Sequence, residues 1–135
     1  MKQKMKGLLI DPEKSSIDEV EFEVDGENSL WKMRELIGAQ WLDVARHNLD
    51  WLPSSPDDDI WVDDEGLLGS PEHFFLIPGH GWYAGRGLIL GYDDNNGDTT
   101  SHNLTPEDIL ELKLNVMYGH GKLEDYTPSF TFIPL

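Results

Sequence analysis

The sequence predicts an α+β fold: a small mixed, mainly antiparallel sheet of about five to seven strands with two helices packed on it. Short apolar runs bounded by Gly, Pro and Asp are typical of strands. Two segments place apolar residues at helical spacing, each with a glycine shortly after the last of them. The length of 135 residues suits one hydrophobic core, so residues 1–135 are predicted to form a single domain.

The first elements are a predicted β-hairpin and a helix. Residues 5–10 are an apolar run closed by Asp11 and Pro12, and residues 17–24 then alternate imperfectly with acidic residues. After a turn at 25–28, Asn28 or Ser29 can cap a helix that Gly38 would end. The apolar positions of this helix are Leu30, Met33, Leu36 and Ile37.

The middle of the chain predicts short strands and an exposed loop. Residues 48–59 hold two prolines, two serines and four aspartates, which favours an exposed and mobile loop. The acidic groups at 57–59, 63–65 and 93–94 are interpreted as solvated turns, the last of them within a hairpin turn at 93–98. Strands are predicted around residues 41–45, 60–62, 73–77, 88–90 and 100–104.

The second helix has a strong start signal. Thr105 is the predicted N-cap, Pro106 the first helical residue, and Glu107 and Asp108 lie where the helix dipole favours acids. We expect Ile109, Leu112 and Val116 on its buried face and residues 119–121 to stop it. Residues 118–135 are predicted to be a C-terminal extension, either an edge strand or an oligomerisation arm.

Composition limits the partners. Ten basic and twenty-six acidic residues give a net charge of −16, which disfavours direct binding to nucleic acid or anionic membranes. The charge has two interpretations: it keeps a folded domain soluble, or it attracts a partner protein with a basic surface, such as a nucleic-acid-binding protein whose DNA site is mimicked. The apolar run after the charged residues 1–6 is too short for an export signal, so a cytoplasmic location is expected.

A glycine-rich segment is the candidate ligand site. Residues 79–84 fit the G-x-G-x-x-G/A pattern, but a strand rather than a helix is predicted to follow, which argues against a dinucleotide fold. Backbone amides, a cation and aromatic rings could still bind a nucleotide or another small anion. The alternative is a structural bend whose aromatic side chains belong to the core. The candidate ligand-binding residues are Gly79, His80, Gly81, Trp82, Tyr83 and Arg86.

The sequence contains no recognisable catalytic, metal-binding or cofactor-binding motif. The chain has no cysteine, and no residue is predicted to be catalytic, to bind metal or to hold a cofactor. The acidic turns do not have EF-hand spacing. The serines lack a nucleophile-elbow frame. The histidines lack the close spacing of a metal pair, although any two could meet in space. They are His47, His73, His80, His102 and His120.

Four segments together resemble an uncharacterised family of phages, plasmids and other mobile elements, the domain of unknown function DUF3846. They are residues 8–12, 60–68, 84–91 and 104–109, so the resemblance covers about residues 5–117. Residues 70–75 depart from the Pro-Asn-Arg type of segment that the resemblance leads us to expect. The resemblance implies an accessory protein acting inside a bacterial host, and it carries over no catalytic residues.

Three functions follow as hypotheses. The first is a non-enzymatic accessory protein of a phage or mobile element that binds or inhibits a host protein through that protein's basic surface, as an anti-defence factor would. The second is an oligomeric sponge that binds a nucleotide signal at the glycine-rich segment. The third is a hydrolase that uses grouped acids and a divalent cation.

Overall fold

A computed structural model describes residues 2–25, 29–39, 42–47, 49, 51–54, 56–63, 72–77, 81–93 and 98–121. It confirms the α+β class. The strands are β1 (Lys2–Asp11), β2 (Ser16–Asp25), β3 (Leu42–His47), β4 (Asp59–Asp63), β5 (His73–Ile77), β6 (Gly81–Ala84), β7 (Gly87–Asp93), β8 (Asp98–Thr100) and β9 (Met117–His120). The helices are α1 (Ser29–Ile37) and α2 (Pro106–Asn115).

The strands of the described residues form two sheets. The larger has the order β2-β1-β7-β4-β3, with β8 paired to β7, and the smaller has the order β6-β5-β9. The pairings are antiparallel. The described strands number nine in two sheets, slightly more than the five to seven predicted for a single sheet. Strands β6 and β9 are short and contain glycine, so they do not show the period of two that identifies a strand.

The larger sheet has an apolar core on each face because its central strands alternate. In β7, Leu88 and Leu90 pack with Met33 and Ile37 of α1, whereas Ile89 packs on the opposite side with β5, β6 and α2. All three β7 side chains are fully buried. The molecule thus has three layers: α1, the larger sheet, and a third layer of the smaller sheet with α2.

The predicted hairpin and first helix are confirmed. β1 pairs with β2 from Lys2 opposite Asp25 to Asp11 opposite Ser16. α1 ends where Gly38 adopts φ 75°, a conformation that glycine reaches without steric cost. The backbone nitrogens of Gly38 and Ala39 both donate to the carbonyl of Arg34, which satisfies the last turn of the helix.

The start of α2 is confirmed, and it carries more bonds than the sequence indicates. The Thr105 hydroxyl accepts from the Asp108 nitrogen, and the Asp108 carboxylate accepts from the Thr105 nitrogen, which is a capping box. The same carboxylate accepts from the Ser54 nitrogen at 2.9 Å and from the Ser54 hydroxyl. Asp108 is fully buried and ties the segment before β4 to α2.

The segment at 48–59 is not the exposed loop that its composition predicts. Leu49 and Leu52 are buried in the core, and Asp58 is fully buried. Asp58 accepts from the Asn103 backbone nitrogen at 2.7 Å and from the Asn103 side-chain amide at 3.1 Å. Within the acidic group at 57–59, only Asp57 is exposed, so the prediction of a solvated turn there is wrong.

Two further boundaries differ from prediction. β8 ends at Thr100 rather than running to Leu104, because the following residues turn away to meet β1, where the His102 nitrogen donates to the carbonyl of Lys6. Residues 118–120, around the predicted stop of α2 at 119–121, lie in β9, which is an edge strand of the smaller sheet. Residues 122–135 lie outside the described part of the chain, so the proposed arm stays a prediction.

Candidate functional site

A cavity of about 390 Å³ opens at one end of the molecule, within the size range of ligand pockets. Five segments of the described chain meet there: the end of β1 with its turn, the end of α1, the end of β4, the start of β5, and the turn between β6 and β7. The described residues of its lining are Asp11, Pro12, Glu13, Ile37, Gly38, Asp63, Glu72, His73, Ala84, Gly85 and Arg86.

Arg86 holds three of these segments together. Its Nε lies 3.6 Å from Oδ2 of Asp11, and its Nη1 donates to the carbonyl of Leu36 at 3.3 Å in the last turn of α1. A cation is favoured at that position because the carbonyl end of a helix carries partial negative charge. The Asp11 side chain is 8% exposed and that of Arg86 39%, so the guanidinium stays accessible from the cavity.

The lining is predominantly acidic. The described lining residues contribute four carboxylates, those of Asp11, Glu13, Asp63 and Glu72, and one guanidinium, that of Arg86. Because Arg86 already faces Asp11, the carboxylates of the exposed residues Glu13 and Glu72 are the ones that can act on a ligand. A similar field acts on a nearby residue, since burial and then the carboxylates of Asp18 and Asp11 raise the pKa of Tyr118. The site therefore attracts cations more strongly than anions.

The structure separates the predicted ligand residues. Trp82 and Tyr83 are buried, with Trp82 edge-to-face on Phe74 at 5.1 Å and Tyr83 against Phe75 at 5.5 Å. Gly81 begins β6, and among the four of these residues that the structure describes, Arg86 is the one found in the lining of the cavity. Gly79 and His80 lie outside the described residues. Ligand binding by this set stays a prediction, for which Arg86 provides the structural support.

A chain of hydrogen bonds leads from the cavity to the turn between β1 and β2. His73, which lines the cavity, and His120 are opposite each other in the β5–β9 pairing. Their Nδ1 atoms are 3.0 Å apart, and Nε2 of His120 is 3.3 Å from the hydroxyl of Ser15. Sequence reasoning missed this group because β9 was not predicted, and only the strand register brings residues 73 and 120 together.

His102 has a structural role. Its Nδ1 accepts from the Leu104 nitrogen at 3.2 Å, so the proton lies on Nε2, which donates to Glu19 at 2.9 Å. This bond to His102 is the main cause of a lowered pKa for the Glu19 carboxyl. The described residues contain no group of three or more His, Asp or Glu side chains arranged to hold a metal ion. None of their helices is long and apolar enough to cross a membrane.

Fold and cavity together define a class: an acidic α+β domain with a carboxylate-lined pocket at the end of its larger sheet. The family model described as domain of unknown function DUF3846 matches residues 5–115. The chain therefore belongs to this family, as the resemblance of its turns and strand ends predicts. Comparisons with the curated proteins and with the solved structures find no significant match.

Proposed function

We propose that the protein is an accessory binding protein of a phage or other mobile element that acts in the host cytoplasm. It would bind a host protein by taking a lysine or arginine side chain of that protein into the acidic cavity. The observation that carries the proposal is the excess of carboxylates over cations among the described residues that line the cavity, in which the Arg86 guanidinium faces Asp11.

The shape of the cavity supports a long cationic side chain. Ile37, Pro12 and Ala84 give it an apolar part, on which the methylene groups of lysine or arginine can pack. The carboxylates of Glu13 and Glu72 belong to exposed residues at its margin, where a charged head group keeps contact with water. The net charge of −16 adds long-range attraction for a basic surface.

The charge balance disfavours the nucleotide sponge. A phosphate at Arg86 would lie beside the carboxylate of Asp11 and would be repelled by it and by the other carboxylates of the lining. The aromatic rings that would stack on a base pack on Phe74 and Phe75 instead. Binding of a nucleotide is the outcome that would favour this second hypothesis over the first.

Binding is testable with three short labelled peptides of the same length. Their alternate positions hold arginine in the first, lysine in the second and glutamine in the third, and the peptides are otherwise identical. Fluorescence anisotropy should show saturable binding of the two basic peptides and none of the glutamine peptide. The double variant Glu13→Gln/Glu72→Gln should bind about two- to thirtyfold more weakly, since each exposed charge contact contributes about 0.2–1 kcal/mol.

The matched control is Glu23→Gln/Glu111→Gln, which removes the same charge from exposed residues of β2 and α2 that do not line the cavity. It should change the affinity less than about twofold once salt screens distant charges. Equal loss in both double variants would mean that net charge alone attracts the peptide. Binding of ADP-ribose, lost in Arg86→Ala, without peptide binding would reject the proposal.

A further inference from the structure

The turn between β1 and β2 holds a serine in an unusual backbone conformation. Ser15 has φ 51°, and within the described parts of the chain it is the only residue other than glycine with positive φ. The Ser15 nitrogen donates to the carbonyl of Pro12 at 3.3 Å, which closes the turn. Glycine adopts this conformation with less strain. A serine in a strained backbone position points to a role for its hydroxyl.

The imidazoles of His120 and His73 face each other through their Nδ1 atoms, and these two nitrogens can share only one proton. Two protonated Nδ1 atoms would repel, and two bare ones would have no hydrogen to share. Their ring centroids are 5.2 Å apart while the nitrogens are 3.0 Å apart, so both nitrogens lie close to the line between the ring centres. This is the alignment of a direct N–H···N hydrogen bond.

The direction of that bond decides what faces the serine. When Nδ1–H of His120 donates to Nδ1 of His73, Nε2 of His120 is a bare acceptor 3.3 Å from the Ser15 hydroxyl. A serine beside an imidazole acceptor whose other nitrogen is held by a third group has the arrangement of an activated nucleophile. Such arrangements are recognised by geometry and not by sequence order.

We propose that Ser15 is a nucleophile for acyl transfer, with His120 as its general base and His73 as a positioning residue that fixes the tautomer of His120. The Ser15 oxygen attacks the carbonyl carbon of an ester, and its proton passes to Nε2 of His120. The bond between the carbonyl carbon and the alcohol oxygen then breaks, and the departing alcohol takes that proton. The acyl group remains on Ser15.

The surroundings define the substrate class and the rate. The neighbouring residues Asp11 and Glu13 favour a neutral or cationic ester over an anionic one. The turn's amides already have acceptors, since the Glu13 and Lys14 nitrogens donate to Asp11 and the Ser15 nitrogen to Pro12. Without a free amide of this turn as oxyanion donor, the reaction is slower by about 10²–10³, so we expect slow acyl transfer. Since Ser15 is the proposed acceptor, each chain should take up about one acyl group.

The test is reaction of the whole protein with p-nitrophenyl acetate, followed by nitrophenolate release, intact mass and peptide mapping. We expect one acetyl group on Ser15, absent from Ser15→Ala. His120→Asn should slow acylation about 100-fold or more, as loss of a general base does. His73→Asn should slow it less and change its pH dependence, which a merely structural role would not do. Ser101→Ala and His102→Asn should acylate Ser15 at the wild-type rate.

Ser15→Gly separates chemistry from structure. It relieves the positive φ, so its urea midpoint should equal or exceed that of the wild type while acetylation at position 15 is lost. No adduct on Ser15, or an equal acylation rate in His120→Asn, would overturn the proposal. A lower urea midpoint in Ser15→Gly together with an unreactive wild type would assign the hydroxyl a structural role. These outcomes do not depend on whether the cavity binds basic peptides.

Discussion

Two buried aspartates, Asp58 and Asp108, connect the segment before β4 to the chain around α2. Their environments shift their pKa values in opposite directions. Burial raises the pKa of Asp58 more than its bonds from Asn103 lower it. Burial also acts to raise the pKa of Asp108, but the hydrogen bonds from Ser54 and Thr105 outweigh it, and the pKa is lowered. The number of donors around each carboxylate explains the difference.

Asp108→Ala should be among the most destabilising changes of a polar residue in this protein. It removes the acceptor of the Ser54 and Thr105 nitrogens and half of the capping box. We expect a loss of about 2–4 kcal/mol in the free energy of unfolding, combining a lost cap with unsatisfied donors. Urea denaturation would measure it. Glu107→Ala, an exposed acid in the same turn, should cost less than about 1 kcal/mol, and equal losses would contradict this assignment.

The two aspartates also predict opposite pH dependences. The lowered pKa of Asp108 contributes stability that is present above its ordinary value of 3.8 and is lost as the pH falls through the folded-state value. The raised pKa of Asp58 means that stability falls as the pH rises from 3.8 through its folded-state value. The free energy of unfolding should be measured against pH in both variants. In Asp108→Asn the decrease in stability toward acid pH should be smaller than in the wild type. In Asp58→Asn the decrease in stability with rising pH should be smaller. Unchanged profiles in both variants would refute this.

At the level of elements, α2 offers a matched pair of leucines. Leu112 is fully buried in the core, whereas Leu114, two residues later on the opposite side, is 69% exposed. Leu112→Ala should cost about 2–5 kcal/mol, the range for a buried leucine that leaves a cavity. Leu114→Ala should change stability by less than about 0.5 kcal/mol. Thermal or urea unfolding of both variants provides the measurement, and a large cost at Leu114 would mean that this face is covered.

The elements with local signals were predictable from sequence. The hairpin follows from two apolar runs around Asp11 and Pro12, and α2 follows from its N-cap, its proline and its helical spacing. β6 and β9 were not, because Gly81 and Gly119 interrupt short segments that only pairing with β5 turns into strands. The burial of Asp58 was equally hidden, since its partner Asn103 lies 45 residues away.

For the whole molecule, the net charge of −16 predicts stabilisation by salt. Repulsion among carboxylates opposes the compact state, and salt screens it. Raising NaCl from about 0.02 M to 0.5 M should increase the unfolding free energy by about 1 kcal/mol, or the Tm by roughly 4 °C. Scanning calorimetry would show this. MgCl₂ at equal ionic strength should give a similar shift, because screening depends on ionic strength, and a Tm that falls with NaCl would contradict the prediction.

The cavity is a property of the whole molecule. Its lining joins Asp11, Asp63, His73 and Arg86, which belong to four different parts of the chain. Of the predicted ligand-binding residues, Arg86 lines this cavity, and its part in ligand binding stays a prediction. Asp11 lies beside it, and the carboxylates around both favour the proposed cationic ligand over the anion that the glycines suggest.

The sequence by itself determined the α+β class, the hairpin, α2 with its cap, and the family, because these depend on residues close together in the chain. Tertiary structure alone decided that there are two sheets, that Trp82 and Tyr83 are buried, and that His73 meets His120. Strand register fixes which distant side chains touch, and the balance of charge around a cavity exists only after those strands have paired.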